Sequence, residues 1–128
     1  MARKKPRAAR AYGKVYTIRW CDKGTIKLDG EVCDGLTVHE KQSISIERGQ
    51  MPDNEADSLI HEHFHQLLRP LHASVMPNDD TEEAIVQALA PALFASFREN
   101  PEFWRYILAT ASPRPRRKKP LTGPPAAE

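Results

Sequence analysis

The sequence predicts an α+β fold in which a small antiparallel β-sheet is followed by two or three helices. Residues 12–48 contain short apolar runs that alternate with polar residues, and turn pairs such as Asp29-Gly30 separate these runs. After Gly49 the apolar residues recur at helical spacing instead. A chain of 128 residues can bury one modest core, so we expect a single folded domain at residues 11–112.

Both ends of the chain are basic and contain few apolar side chains. We expect the tails at residues 1–10 and 113–128 to be disordered, because they cannot bury enough apolar surface to offset the entropy of ordering. The tails together carry a charge of +9 within a whole-chain charge of +2, which leaves −7 on the body. Such arms suit weak, salt-sensitive contact with nucleic acid, although they could equally serve solubility alone. Their basic residues are Arg3, Lys4, Lys5, Arg7, Arg10, Arg114, Arg116, Arg117, Lys118 and Lys119.

The sequence contains no pattern typical of a targeting or membrane segment. No apolar run approaches the ~18 residues of a membrane-spanning helix, and no apolar segment follows the basic N-terminus. Cys21 and Cys33 lie outside any Cys-x-x-Cys pair, so we expect them to be reduced and partly buried, with zinc ligation as the alternative. These features favour a cytoplasmic protein without a membrane partner.

The strand pattern is clearest at Tyr16, Ile18 and Trp20, which alternate and would share one face of the sheet. Further short runs follow between the Asp-Gly turns, as in a series of hairpins. The last run, Ser43 to Glu47, also alternates. We expect this run to form an edge strand that could receive a peptide as an added strand.

Three helices are predicted after the strands. The first begins near Pro52, with residue 53 or 54 as N-cap, and ends at residues 69–70. Pro91 should kink the second helix or divide it, because proline lacks the backbone N–H that a helix interior needs. The pair Asn100-Pro101 predicts the start of a third helix. We expect the aromatic residues of this last helix to lie in the core, namely Phe103, Trp104 and Tyr106.

The first predicted helix contains the motif His61-Glu62-x-x-His65. On a helix, His61 and His65 point within ~40° of each other, and Glu62 lies beside them. Two neutral imidazoles at this spacing can hold one Zn²⁺, and a neighbouring carboxylate can take a proton from water activated by that ion. The motif therefore predicts a zinc site on this helix.

With strands before this helix and an acidic helix after it, the chain resembles the minimal zincin-like metallopeptidases of the ImmA/IrrE type, including short phage-encoded zincin-like proteins. The resemblance covers Tyr16 to Ala109 and rests on the histidine motif followed by Thr81-Glu82-Glu83-Ala84-Ile85. It implies a zinc ion held by the two histidines and by a glutamate from the next helix, with Glu62 as general base. This chain has Ala84-Ile85 where the family usually has Ala-Asn or Ala-Asp, so the residue that would orient a ligand stays unassigned.

Glu82 and Glu83 compete for the third ligand position that the resemblance implies. Glu82 shares the inward face of the apolar residues in its helix, whereas Glu83 is rotated from that face by ~100°. Either glutamate could instead complete a capping box at the start of the helix. We expect Glu82 to complete the zinc site, with Glu83 as the alternative.

Two further histidines flank the motif. His72 comes one residue too late for a third zinc-binding histidine, and it follows Pro70. It could line the cleft and stabilise an oxyanion, or it could lie on the surface. His63 should point away from the side of the helix that carries the metal.

Two functions follow from these features. The first is a zinc-dependent peptidase that acts on a peptide or protein, with Glu62 as the general base. The alternative is a non-catalytic, zinc-stabilised phage accessory protein that contacts nucleic acid through its basic tails. Retention of Glu62 favours the peptidase, since a structural site needs no carboxylate there, whereas the small size of the chain favours the alternative. The resemblance to phage-encoded proteins implies a location in the bacterial host cytoplasm.

Overall fold

The computed structural model describes residues 4–72, 74 and 78–111, and it confirms the α+β class. The strands are β1 (Ala8–Ala11), β2 (Lys14–Cys21), β3 (Lys27–Leu28), β4 (Glu31–Val32), β5 (Gly35–Val38) and β6 (Ser43–Glu47). The helices are α1 (Pro52–Leu68), α2 (Asp79–Glu99) and α3 (Pro101–Ala111), and a single 3₁₀ turn, Arg69–Leu71, follows α1. The predicted disorder of residues 113–128, and the basic residues there and at Arg3, lie outside the described residues.

The main sheet has four strands in the order β1-β2-β6-β5, and it is mixed where the sequence predicts an antiparallel sheet. Strands β1 and β5 each pair antiparallel with their neighbours, but β6 runs parallel to β2 with Thr17 opposite Ser43. The Asp-Gly turns indicate local hairpins correctly at β3 and β4. These turns do not predict that β6 inserts between β2 and β5. The parallel pairing of β6 with β2 needs a crossover connection instead of a tight turn.

Strand β6 is central, so the prediction that Ser43–Glu47 forms an edge is wrong. Ile44 and Ile46 are completely buried, and the two residues at the strand ends are buried as well. The serines give the strand a polar face in the sequence, but in the structure Ser43 is buried and Ser45 is half-buried. The edges of the sheet are β1 and β5.

The chain before β2 is ordered in the described part, so the predicted disorder of residues 1–10 is wrong from residue 4 onward. Trp20 donates its indole N–H to the carbonyl of Pro6 at 2.9 Å, and the Lys5 ammonium lies 4.8 Å from the centre of the Trp20 ring. Gln66 of α1 donates to the carbonyl of Ala9 at 3.0 Å. Backbone pairing and polar contacts hold this segment in place. Amino-acid composition reveals neither of them.

The core lies between the sheet and α1. Tyr16, Ile18, Ile44 and Ile46 form its buried cluster, and Leu59 of α1 packs against it. Alternation in β2 predicted the buried face of that strand correctly. None of the helices in the described ranges has the length and apolar character needed to cross a membrane.

The helix boundaries differ in detail from those expected. Helix α1 begins at Pro52 after Met51, without a side-chain cap, so the predicted N-caps at residues 53 and 54 are wrong. Asn78 caps α2 by accepting a hydrogen bond from the Thr81 N–H at 2.8 Å. Neither Glu82 nor Glu83 therefore occupies the N3 position of a capping box. Helix α2 continues through Pro91 without division.

Most of α3 is exposed, which contradicts the expectation that its aromatic residues lie in the core. Phe103 is 57% exposed and Tyr106 is 74% exposed. Only Trp104 is partly covered, because its ring packs 4.6 Å from that of Phe97 and its N–H donates to Ser96 at 3.0 Å. An amphipathic pattern identifies the helix but does not guarantee a surface that covers its apolar face.

We predict that a chain beginning at Tyr12 is less stable than the full chain by roughly 2–4 kcal/mol, because it loses the β1 ladder at about 1 kcal/mol per hydrogen bond. Lys4→Ala, which changes an exposed side chain of the same segment, is the control and should change stability little. Urea unfolding monitored by tryptophan fluorescence measures both. Equal stability of the truncated and full chains would show that β1 contributes nothing to the fold.

Candidate metal centre

Helices α1 and α2 bring His61, His65 and Glu83 together. His61 Nε2 lies 3.1 Å from Glu83 Oε1, and His65 Nε2 lies 2.8 Å from Glu83 Oε2. The two imidazole rings are 5.1 Å apart, as expected for residues one helical turn apart. One ligand atom from each of the three residues lies within 4.8 Å of the others.

This donor set fits a zinc ion. Zinc takes imidazole nitrogen and carboxylate oxygen at about 2.0–2.2 Å, so two ligand atoms in a tetrahedral site lie roughly 3.4 Å apart. The observed nitrogen-to-oxygen separations of 2.8 and 3.1 Å need only small adjustments to reach that spacing. Both histidines present Nε2 to the same carboxylate, so the three groups converge on one position. His61, His65 and Glu83 could therefore hold Zn²⁺ and leave a fourth position open.

Glu82 occupies a different place from the one expected of it. It faces inward and is 4% exposed, as its position on the helix predicts. Its carboxylate, however, contacts His65 Nδ1 at 2.5 Å, on the opposite side of the imidazole from Glu83. The structure thus favours Glu83, the alternative, as the third ligand. The inward face of α2 places Glu82 at Nδ1 of His65. The next residue, Glu83, is rotated by ~100° and lies at Nε2 instead.

Glu82 contacts His65 on the ring nitrogen that faces away from Glu83. A carboxylate on one ring nitrogen of a metal-binding histidine fixes the tautomer and directs the other nitrogen toward the metal. If His65 binds a metal, Glu82 is therefore placed to orient it, a role that the sequence left unassigned.

His72 supports Glu82 instead of facing the cleft. Its Nε2 lies 2.7 Å from Glu82 Oε1, and its Nδ1 lies 3.8 Å from Asp79 Oδ1. With both nitrogens directed at carboxylates, His72 is poorly placed to stabilise an oxyanion. The cleft role suggested by the sequence therefore does not agree with the structure. His63 points away from the site as expected, with Nδ1 2.9 Å from Gln66 Oε1.

Glu62 is buried beside the histidine pair, between α1 and β5. It is 7% exposed, and the Thr37 hydroxyl donates to its Oε1 at 2.8 Å. Burial raises the pKa of Glu62, whereas the Thr37 hydrogen bond and the two histidines act in the opposite direction. The carboxylate thus lies in a water-poor position with one oxygen held in place.

Gly35 makes room for Glu62. A Cβ at Gly35 would lie 2.9 Å from Glu62 Cγ and 3.0 Å from its Oε2, closer than side-chain carbons normally approach. In the sequence, Asp34-Gly35 is one of the Asp-Gly pairs that indicate a turn, and Thr37 carries no signal of its own. A glycine directly before a short apolar run was the available indication of such a close approach.

A cavity of about 710 Å³ runs along β5 and opens over the metal centre. Its wall includes His61, His65 and Glu83, the neighbouring Glu62, and Gly35 and Thr37 of β5. It also includes His39, Arg69 and the free thiol of Cys33. Burial raises the pKa of that thiol. Neither cysteine belongs to the metal-binding group found in the described part of the chain, so the alternative of cysteine ligation gains no support. The remaining lining residues are Leu28, Asp34, Leu36, Asp57, Ser58, Asp79, Asp80 and Glu82.

Comparison with known proteins yields no relative for this site. No protein-family model, no curated protein and no solved structure matches the chain. The resemblance to zincin-like metallopeptidases therefore rests on the sequence alone.

We predict that Glu83→Ala weakens zinc binding more than Glu82→Ala does, because the first removes a ligand and the second only its orienting partner. Loss of an orienting partner typically costs about 10–100-fold in metal affinity. Competition with a coloured chelator measures the affinities, and Glu99→Ala, at the far end of the same helix, should bind zinc like the wild type. A larger loss in Glu82→Ala than in Glu83→Ala would reverse the assignment.

We predict that Gly35→Ala destabilises the protein by about 1–3 kcal/mol, the usual effect of overpacking. The new methyl group must displace Glu62. Combining it with Glu62→Ala should remove most of that loss, because the clashing side chain is gone. A double-mutant cycle by urea unfolding measures the coupling. Strict additivity of the two substitutions would show that Gly35 and Glu62 do not compete for space.

Proposed function

We propose that this protein is a zinc-dependent peptidase of the minimal zincin-like kind. The observation that carries the proposal is a buried, hydrogen-bonded Glu62 beside three convergent metal-ligand groups, on a cavity that follows an open strand edge. A purely structural zinc site would need the ligands but not this carboxylate. The location in a bacterial host cytoplasm, which the resemblance implies, is part of the same proposal.

His61, His65 and Glu83 would hold the metal. A bound zinc ion supplies Lewis-acid polarisation of a carbonyl and lowers the pKa of water. Glu62 then accepts the proton of the attacking water and later passes it to the leaving amine. Thr37 keeps the accepting carboxylate in place by its hydrogen bond to Oε1, and Gly35 lets the side chain lie close to the sheet.

Strand β5 is the candidate for substrate binding. One side of β5 pairs with β6, and its other side has no strand partner among residues 4–72, 74 and 78–111. An extended peptide can add to such an edge through backbone hydrogen bonds. Since the cavity follows β5 from Gly35 to His39, a peptide added there would pass over Glu62 and the histidine pair.

The basic residues still allow the alternative of an accessory protein that contacts nucleic acid. Two of them, Arg7 and Arg10, are exposed at β1, on the sheet edge opposite β5. Polyanion binding there would leave the cavity free, so the two roles do not compete. The peptidase proposal is preferred because it accounts for the burial of Glu62.

We predict that Glu62→Gln keeps zinc but loses hydrolysis, because the amide has nearly the same size and cannot accept the proton. Wild type, Glu62→Gln and the exposed control Glu99→Gln, at the far end of α2, would be loaded with zinc and assayed against a quenched-fluorescent peptide library. Elemental analysis would follow the metal. Wild type and Glu99→Gln should cleave the same peptides. Cleavage by Glu62→Gln at the wild-type rate would contradict the assigned role.

A further inference from the structure

His39 lies in the wall of the same cavity but takes no part in the metal centre. It follows β5 directly, two residues beyond Thr37, which contacts Glu62. Along the chain, Thr37 with its contact to Glu62 therefore comes first, and His39 follows two residues later. Any peptide added to β5 would pass both.

Tyr16 holds the imidazole of His39. Its hydroxyl lies 2.9 Å from His39 Nδ1, and the two rings meet edge to face with centroids 5.9 Å apart. Burial raises the pKa of Tyr16, so the phenol keeps its proton and can donate it to Nδ1. With Nδ1 as acceptor, the proton of a neutral imidazole lies on Nε2.

The surroundings of His39 favour the neutral imidazole. Its burial lowers its pKa most, and the Arg69 guanidinium lowers it further. His65 acts in the same direction, whereas the nearby carboxylates, Glu82 and Glu40, act against it. A neutral N–H donor avoids placing a full positive charge close to a bound cation.

We propose that His39 is a catalytic residue that donates its Nε2–H to the carbonyl oxygen of a peptide bound along β5. This assignment rests on the proposed peptidase function. A fixed donor of this kind stabilises the negative charge that develops on that oxygen in the transition state. Of the other donors nearby, His72 contacts Glu82 and one guanidinium nitrogen of Arg69 pairs with Asp79 at 3.2 Å.

The kinetic test uses the zinc-loaded full chain and the peptides that the wild type cleaves. His39→Ala should lower kcat about 100-fold, the scale for losing one oxyanion donor, with KM and zinc content unchanged. His39→Gln should recover part of the loss, because its amide keeps an N–H donor on a side chain of similar reach. His63→Ala is the matched control. It removes a histidine outside the cavity wall and should cleave like the wild type.

The second test reads the imidazole directly. ¹⁵N-detected two-bond correlation spectra of the full chain should show His39 as the Nε2–H tautomer, and Tyr16→Phe should shift the population toward Nδ1–H. If the wild type showed the Nδ1–H tautomer, the role of His39 would be wrong while the peptidase proposal would stand. The same holds if His39→Ala keeps kcat within threefold of the wild type, or if it loses its zinc. A wild type that loads zinc but cleaves no peptide would overturn both.

Discussion

The contact between two carboxylates of α2 and the imidazoles of α1 is the interaction on which the rest of the site depends. Glu82 is almost completely buried, and a buried carboxylate without partners would cost several kcal/mol. His65 of α1 and His72, which follows the 3₁₀ turn after α1, supply those partners at 2.5 and 2.7 Å, so these contacts fix the position of Glu82 against α1. Once Glu82 is fixed, the helical rotation places Glu83 in front of His61 and His65. The same contact thus sets the packing of the helices and the convergence of the ligand groups.

The sheet supplies the other half of the site. Helix α1 packs on its buried isoleucines, which brings Glu62 against the short edge strand β5. A glycine and a threonine on that strand give the carboxylate space and a hydrogen bond. Because β5 is also an edge of the sheet in the described part of the chain, the strand that positions Glu62, the proposed general base, is the strand that could bind a substrate. The parallel insertion of β6 leaves β5 at that edge.

Local features could be predicted from the sequence, and features set by packing between distant elements could not. The helix with His61 and His65 follows from spacing alone, as does the buried face of β2. The choice between Glu82 and Glu83 depends on the direction in which α2 crosses α1, which helical periodicity does not determine. Likewise, Ser43–Glu47 has the pattern of a half-exposed strand, and only the crossover makes it central. The ordered N-terminal segment was missed because backbone pairing with β2, which composition does not reveal, holds it in place.

The central claim is that His61, His65 and Glu83 form a zinc site. Zinc K-edge X-ray absorption on the full chain, purified without a histidine tag, tests it most directly. The account predicts about one zinc per chain, surrounded only by nitrogen and oxygen, with imidazole scattering from two histidines. Glu83→Ala should alter that spectrum. A folded protein without bound zinc, or a spectrum that contains sulfur ligands from Cys21 or Cys33, would contradict the account.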